Sequence, residues 1–398
     1  MRRNALLLRS PGREAHLYEL EDFQSGIPRR ELTGWLSSPE PPEEPCYAEG
    51  RLLTREDWAA LAENRRAFAA AERTKPRWGV CTQRSAFRSF PTAKAVTRTP
   101  DDRYDDLMQE SAVLPGEPLA VFHTSADGLF YYAAAYFGMG WIAAESVGLC
   151  GNYGEWIAAR EGSFLLVTAS RFTLCADPYE PAVSSMELTM GTTLRLAAGP
   201  DEAREVRRRI SYDNYVVELP TRGADGTLRF VRALVPISCG VCEGWLPYTE
   251  QTVLKQMEKV RGEVYGWGGM LGSRDCSALV MELYRCFGFR LPRNACDLAQ
   301  LPGGIDLTGM TAAEKLAALR ALPVGAILYF PGHVMLWRGE IDGRAMCLSA
   351  AGSFLPPGSA GGRVRPVNTA ALTPLDVVRA NGKTWLGSLE RAVCPGMR

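Results

Sequence analysis

From Ser277 onward the apolar residues Leu279, Val280, Leu283, Tyr284 and Phe287 recur at three- and four-residue steps, which predicts an amphipathic helix closing near Gly288. Ahead of it, Gly266, Gly268, Gly269 and Gly272 interrupt any regular pattern, so a loop leads into a helix that opens at Cys276. The same spacing predicts helices in TVLKQMEKVRGEVYG, TAAEKLAALRAL and TPLDVVRA, and in REDWAALAENRRAFAAAE, where Trp58, Leu61 and Phe68 share one face. Prolines exclude regular structure over Pro39 to Pro45.

Between Val80 and Leu149 the period shortens to two, with turn signals between short runs, the pattern of a small β barrel. Within it, His123 lies on one strand of a hairpin that turns at Asp127-Gly128. The stretch from about Glu161 to Tyr248 repeats the pattern more weakly. The paired endings Gly140-Trp141 and Gly244-Trp245 suggest a duplicated module. Near the C-terminus, Pro331-Gly332 separates two apolar runs, and His333 begins the second strand. Helix followed by antiparallel strands is an α+β order. These changes of pattern divide the chain into an N-terminal clip or helical linker (1–78), two β modules (79–150 and 151–248) and a C-terminal domain (249–398).

Composition bounds what these domains do. The 398 residues exceed one ordinary core, and 46% hydrophobic with 23% charged residues is a globular composition. Forty-five basic residues balance 45 acidic ones, so no global basic field invites nucleic acid. No apolar run reaches the length of a membrane span. Two arginines and a four-residue apolar core at the start fall short of a signal peptide, and the 11 scattered cysteines fit a reducing compartment. A cytoplasmic location is therefore expected, or the cell envelope if a leader has been removed. Cys239 and Cys242 form a CxxC with no second ligand pair at zinc spacing, so neither metal nor cofactor is expected.

The chemistry centres on Cys276. A helix start stabilises a thiolate, and a cysteine nucleophile also needs a base. Otherwise Cys276 is one more small buried residue. The chain has three histidines. His16 lies in the N-terminal stretch and His123 in a β module, which leaves His333, on a strand after the cysteine helix.

The set DCSALV, with YGWGG before it, LPRNA and a glutamine after it, and a later GHVMLW strand, resembles the NlpC/p60 family of bacterial cell-wall cysteine peptidases. More narrowly, the chain resembles the γ-D-glutamyl-L-diamino acid endopeptidases that carry two bacterial SH3-like domains. The resemblance runs from about Val80 to the C-terminus. It implies a multidomain protein, with two small all-β SH3-like barrels followed by an α+β papain-like catalytic domain. The implied substrates are peptidoglycan stem peptides with a free N-terminal L-Ala, cut between γ-D-Glu and diaminopimelate or L-Lys.

The resemblance also implies roles for single residues. Cys276 is the nucleophile and His333 the base. Tyr265, Asp275 and Ser277 stand where a substrate-binding tyrosine and an Asp-Ser pair would engage the free amine, although Asp275 serves equally as a helix N-cap. Arg293 and Gln300 are read as closing a turn and capping the next segment, with shaping of the site as the alternative. The acidic run from Asp101 to Glu110 is read as a solvated loop, with a contribution to the amine pocket as the alternative. The family's third catalytic residue is usually a histidine, but the matching strand here reads MCLSAAGSF, with Ser349 in that place. A neutral hydroxyl stabilises an imidazolium less, so a weak or inactive muropeptide-binding protein is the alternative reading.

Overall fold

The computed structural model describes residues 17–37, 41–65, 72–197, 205–356 and 364–396; His16 and Phe68 lie outside these. The chain divides into two compact units, Tyr18–Gly244 and Trp245–Arg398. Among the described residues no helix is long and apolar enough to cross a membrane.

The first unit begins with a 3-10 turn, Leu20–Ser25, and a helix, Arg29–Leu36, that the sequence pattern did not predict. Leu20, Ile27, Leu32 and Leu36 are buried in one cluster with Trp78, Phe122, Trp141 and Trp156, so this segment completes the core of the first β module. The expected helix beyond Thr54 is present as Arg55–Asn64, with a reciprocal cap between Thr54 and Asp57. The first β module is a seven-stranded antiparallel sheet. Its hairpin joins Pro118–Thr124 to Phe130–Ala135 around Asp127-Gly128. One acidic residue read as solvated is not: Asp106 is buried and ion-paired with Arg88 at 2.8 Å.

A second module follows, a five-stranded sheet built on the long ribbon of Asn214–Arg222 and Leu228–Pro236. Leu165, Val167, Leu188, Val217, Leu219 and Val235 alternate inward to fill its core. The two compact units divide between Gly244 and Trp245. Trp245 belongs to the second unit: the adjacent Leu246 amide donates to the Cys286 carbonyl at 2.9 Å, and the Trp245 ring covers Gly288, where a Cβ would come within 3.2 Å of it.

The second unit opens with the helices Glu250–Lys259 and Cys276–Arg285, both as expected, and continues with Ala312–Arg320. Six antiparallel strands form its sheet, in the order Ile305–Asp306, Arg391–Val393, Ile327–Phe330, His333–Ile341, Arg344–Phe354 and Arg365–Pro374. One expected helix is absent. Residues 373–380 are extended and turn, because Leu375 and Val377, two residues apart, are both buried, a strand period rather than a helical one. A short helix, Trp385–Ser388, comes later and buries Trp385.

Candidate active site

The loop before the cysteine is shaped by its glycines. Gly268 and Gly269 sit at φ 55° and 90°, and a Cβ on Gly266 would lie 2.1 Å from the Met270 carbonyl oxygen. This close folding aims the Gly268 amide at the Asp275 carboxylate, 3.0 Å away. Asp275 is the N-cap of the cysteine helix and accepts from the Ala278 amide at 2.8 Å. It also accepts from Ser277 Oγ at 3.2 Å and from the Arg293 guanidinium at 2.5 Å. Arg293 donates in turn to Ser277 Oγ at 2.6 Å. All three side chains are buried. Arg293 is thus a positioning residue, not a turn-closing one, whereas Gln300 is exposed at the end of the short helix Ala295–Ala299.

A second buried set lies behind this one. Arg274 donates to Glu282 at 2.7 Å and to Glu263 at 2.6 Å. Tyr265, half-buried, is anchored beside it: its amide donates to the Asn368 carbonyl at 2.9 Å, and it forms a bridge with Arg274. In the helix itself Ser277 through Arg285 are buried, and Cys276 alone is part-exposed.

The strand His333–Ile341 closes the other side. That strand packs against the cysteine helix. His333 Nε2 stands 2.7 Å from the hydroxyl of Ser349, which is 1% exposed. Two aromatic rings flank the imidazole, Phe330 at 5.4 Å and Trp385 at 5.2 Å. Burial pushes the Cys276 thiol up to about 11, reinforced by the Asp275 charge and opposed by the Val334 amide, Arg293 and the Ser277 amide. Burial likewise lowers His333 to about 4, with Arg379 acting in the same direction and Asp275 against it. Both shifts favour the uncharged forms of the two groups.

The strand that begins at His333 thus packs against the helix that Cys276 opens, His333 meets Ser349, and Asp275 and Ser277 are bonded to each other at the helix start. Sequence reasoning missed Phe330, Trp385 and Arg379. Arg379 sat in a stretch read as helix, and an aromatic pair gives no sequence signal that separates lining a site from filling a core.

A cysteine at a helix start, a histidine on an antiparallel strand packed against that helix and a polar partner behind it are the parts a thiol hydrolase site requires. Residues 262–351 match the NlpC/P60 family, and residues 96–143 match the SH3 domain of SH3b1 type. Over residues 262–351 the chain is thus similar to the NlpC/P60 cysteine peptidases, with a match to an SH3 domain ahead of that segment. Its fold is similar to that of an NlpC/P60 endopeptidase from Photobacterium damselae subsp. piscicida, with 16% identity over 97% of this chain and 89% of that one, at a TM-score of 0.73. It is also similar to an NlpC/P60 family protein from Bacillus cereus ATCC 10987, with 16% identity over 72% of this chain and 82% of that one, at a TM-score of 0.50. Among curated proteins, no sequence matches the chain.

Proposed function

We propose that the protein is a cysteine endopeptidase of peptidoglycan stem peptides, cutting the bond between γ-D-Glu and the diamino acid next to it. The observation that carries this reading is the packing of the strand that His333 begins against the cysteine helix, with the His333 ring on the Ser349 hydroxyl. With Nε2 engaged by Ser349, the Nδ1 of His333 takes the thiol proton as sulfur bonds to the γ-carbonyl carbon. His333 then returns that proton to the leaving amine, and the C–N bond breaks to leave a thioester. Water, giving its proton to His333, attacks the thioester; the C–S bond breaks, the thiol is restored and L-Ala-D-Glu departs. Ser349 aims the ring and lends a neutral hydrogen bond.

Tyr265, Asp275 and Ser277 border the acyl side in this reading, with Tyr265 and Ser277 as contacts for a free N-terminal L-Ala. A substrate ammonium group would have to share the Asp275 carboxylate with Arg293. We further read the module on the Asn214–Arg222 ribbon as a second SH3-like domain, and the catalytic unit as papain-like; the strand orders of the two sheets support both. The test is incubation with L-Ala-γ-D-Glu-diaminopimelate, followed by mass spectrometry. Release of L-Ala-D-Glu by the native chain and none by C276A is expected; no release by either overturns the reading in favour of a binding protein.

A further inference from the structure

Beside the catalytic histidine stands a cation with no task in the chemistry described so far. Arg379 lies on the turn segment that follows the strand Arg365–Pro374. Its guanidinium carbon sits 4.3 Å over the Phe330 ring, and Nη2 donates to the Pro331 carbonyl at 3.1 Å. Phe330 in turn lies against the His333 ring, and Pro331 begins the turn that presents His333. Two contacts thus hold the guanidinium on the rim of the imidazole. Of five N–H donors on such a group, one is used on Pro331, and no carboxylate among the described residues pairs with it. The other site arginines differ in this respect, since Arg293 and Arg274 are each neutralised by buried carboxylates.

A fixed, half-buried guanidinium with open donors suits a carboxylate, and it depresses the basicity of the neighbouring imidazole until its charge is matched. A γ-linked glutamate supplies such a group. Its α-carboxylate is free and lies roughly 5 Å from the scissile carbonyl by bond lengths, whereas an α-linked peptide of uncharged residues has no charge there. We propose that Arg379 anchors a substrate carboxylate flanking the scissile bond, and so selects γ-glutamyl peptides. This rests on the function proposed above. The anchored anion would also offset the charge that disfavours the imidazolium formed during the reaction.

The test compares the native chain, R379Q and R379K on three peptides: L-Ala-γ-D-Glu-diaminopimelate, the same peptide with the α-carboxylate amidated, and L-Ala-γ-D-Glu-L-Lys. Amidation should lower native kcat/KM by roughly 10- to 100-fold. R379Q should lose about as much on the charged peptide yet less than about threefold on the amidated one, with R379K between. Coupling to the lysine peptide instead would place the anchored carboxylate on the leaving side and still support the anchor. Equal losses on all three peptides overturn it. A second measurement separates this inference from the activity. Calorimetric binding of L-Ala-γ-D-Glu and its α-amide should differ in C276A and converge in C276A/R379Q. That result without hydrolysis by the native chain would sink the endopeptidase reading alone. Equal or undetectable binding of both dipeptides sinks the anchor, even if hydrolysis is observed.

Discussion

The two walls of the active site handle charge in opposite ways. On the cysteine wall the buried charges next to the nucleophile are matched internally: Asp275 by Arg293, and Arg274 by Glu263 and Glu282. On the histidine wall a neutral serine, two aromatic rings and an arginine without a carboxylate partner among the described residues surround His333. Internal pairs fix geometry, because removing either partner strands a charge in the interior. A cation at a rim with no carboxylate partner among the described residues keeps donors open for an anion that arrives. The cysteine wall is built for position, and the histidine wall for the ligand.

The largest expected effect lies in the chemistry both walls serve. C276A should abolish hydrolysis with the far-UV spectrum and melting temperature retained, and H333A should cost roughly 10²- to 10⁴-fold in kcat/KM. Turnover unchanged in either would remove the site from that role. Next comes the contrast itself. R293M leaves a buried carboxylate unpaired and should destabilise the fold by roughly 3–5 kcal/mol, while R379Q should change stability by less than about 0.5 kcal/mol. Urea denaturation reads both, and similar losses would erase the distinction between the walls.

Removing the Ser349 hydroxyl in S349A should lower kcat/KM about fivefold, the worth of one neutral hydrogen bond. A native rate would mean that another group orients His333. The subtlest test concerns the resting charge state. With the thiol at about 11, alkylation of Cys276 by iodoacetamide should keep accelerating from pH 6 to pH 10. A rate already level in acid would reveal a thiolate–imidazolium pair. The readout must be the mass of the Cys276 peptide, since Cys175 and Cys296 are also exposed.

Much of this site was legible in the chain. Glycines before Cys276 and a 3.6-residue period after it predicted the loop and helix, and Pro331-Gly332 predicted the turn before His333, because these features are local. The role of Arg293 was not legible, since its ion pair with Asp275 joins residues 18 positions apart and depends on how helix and loop meet. The helix Arg29–Leu36 was hidden by its polar composition, as only Leu32 and Leu36 within it are buried. The stretch around Val377 misled in the other direction. A few apolar residues near a proline fit a helix turn as well as a strand end, and only packing against the sheet decides between them.

The Asp275 carboxylate binds the Gly268 amide of the loop, the Ala278 amide of the helix and the guanidinium that comes after the helix. Three segments therefore share one fastener. In hydrogen–deuterium exchange the Gly268 and Ala278 amides should open as a single cooperative unit, with one protection factor and one dependence on denaturant, although ten residues separate them in the chain. A fluctuation that frees the glycine loop must also uncap the helix that bears the nucleophile. For this protein, an open loop and an organised cysteine are mutually exclusive states.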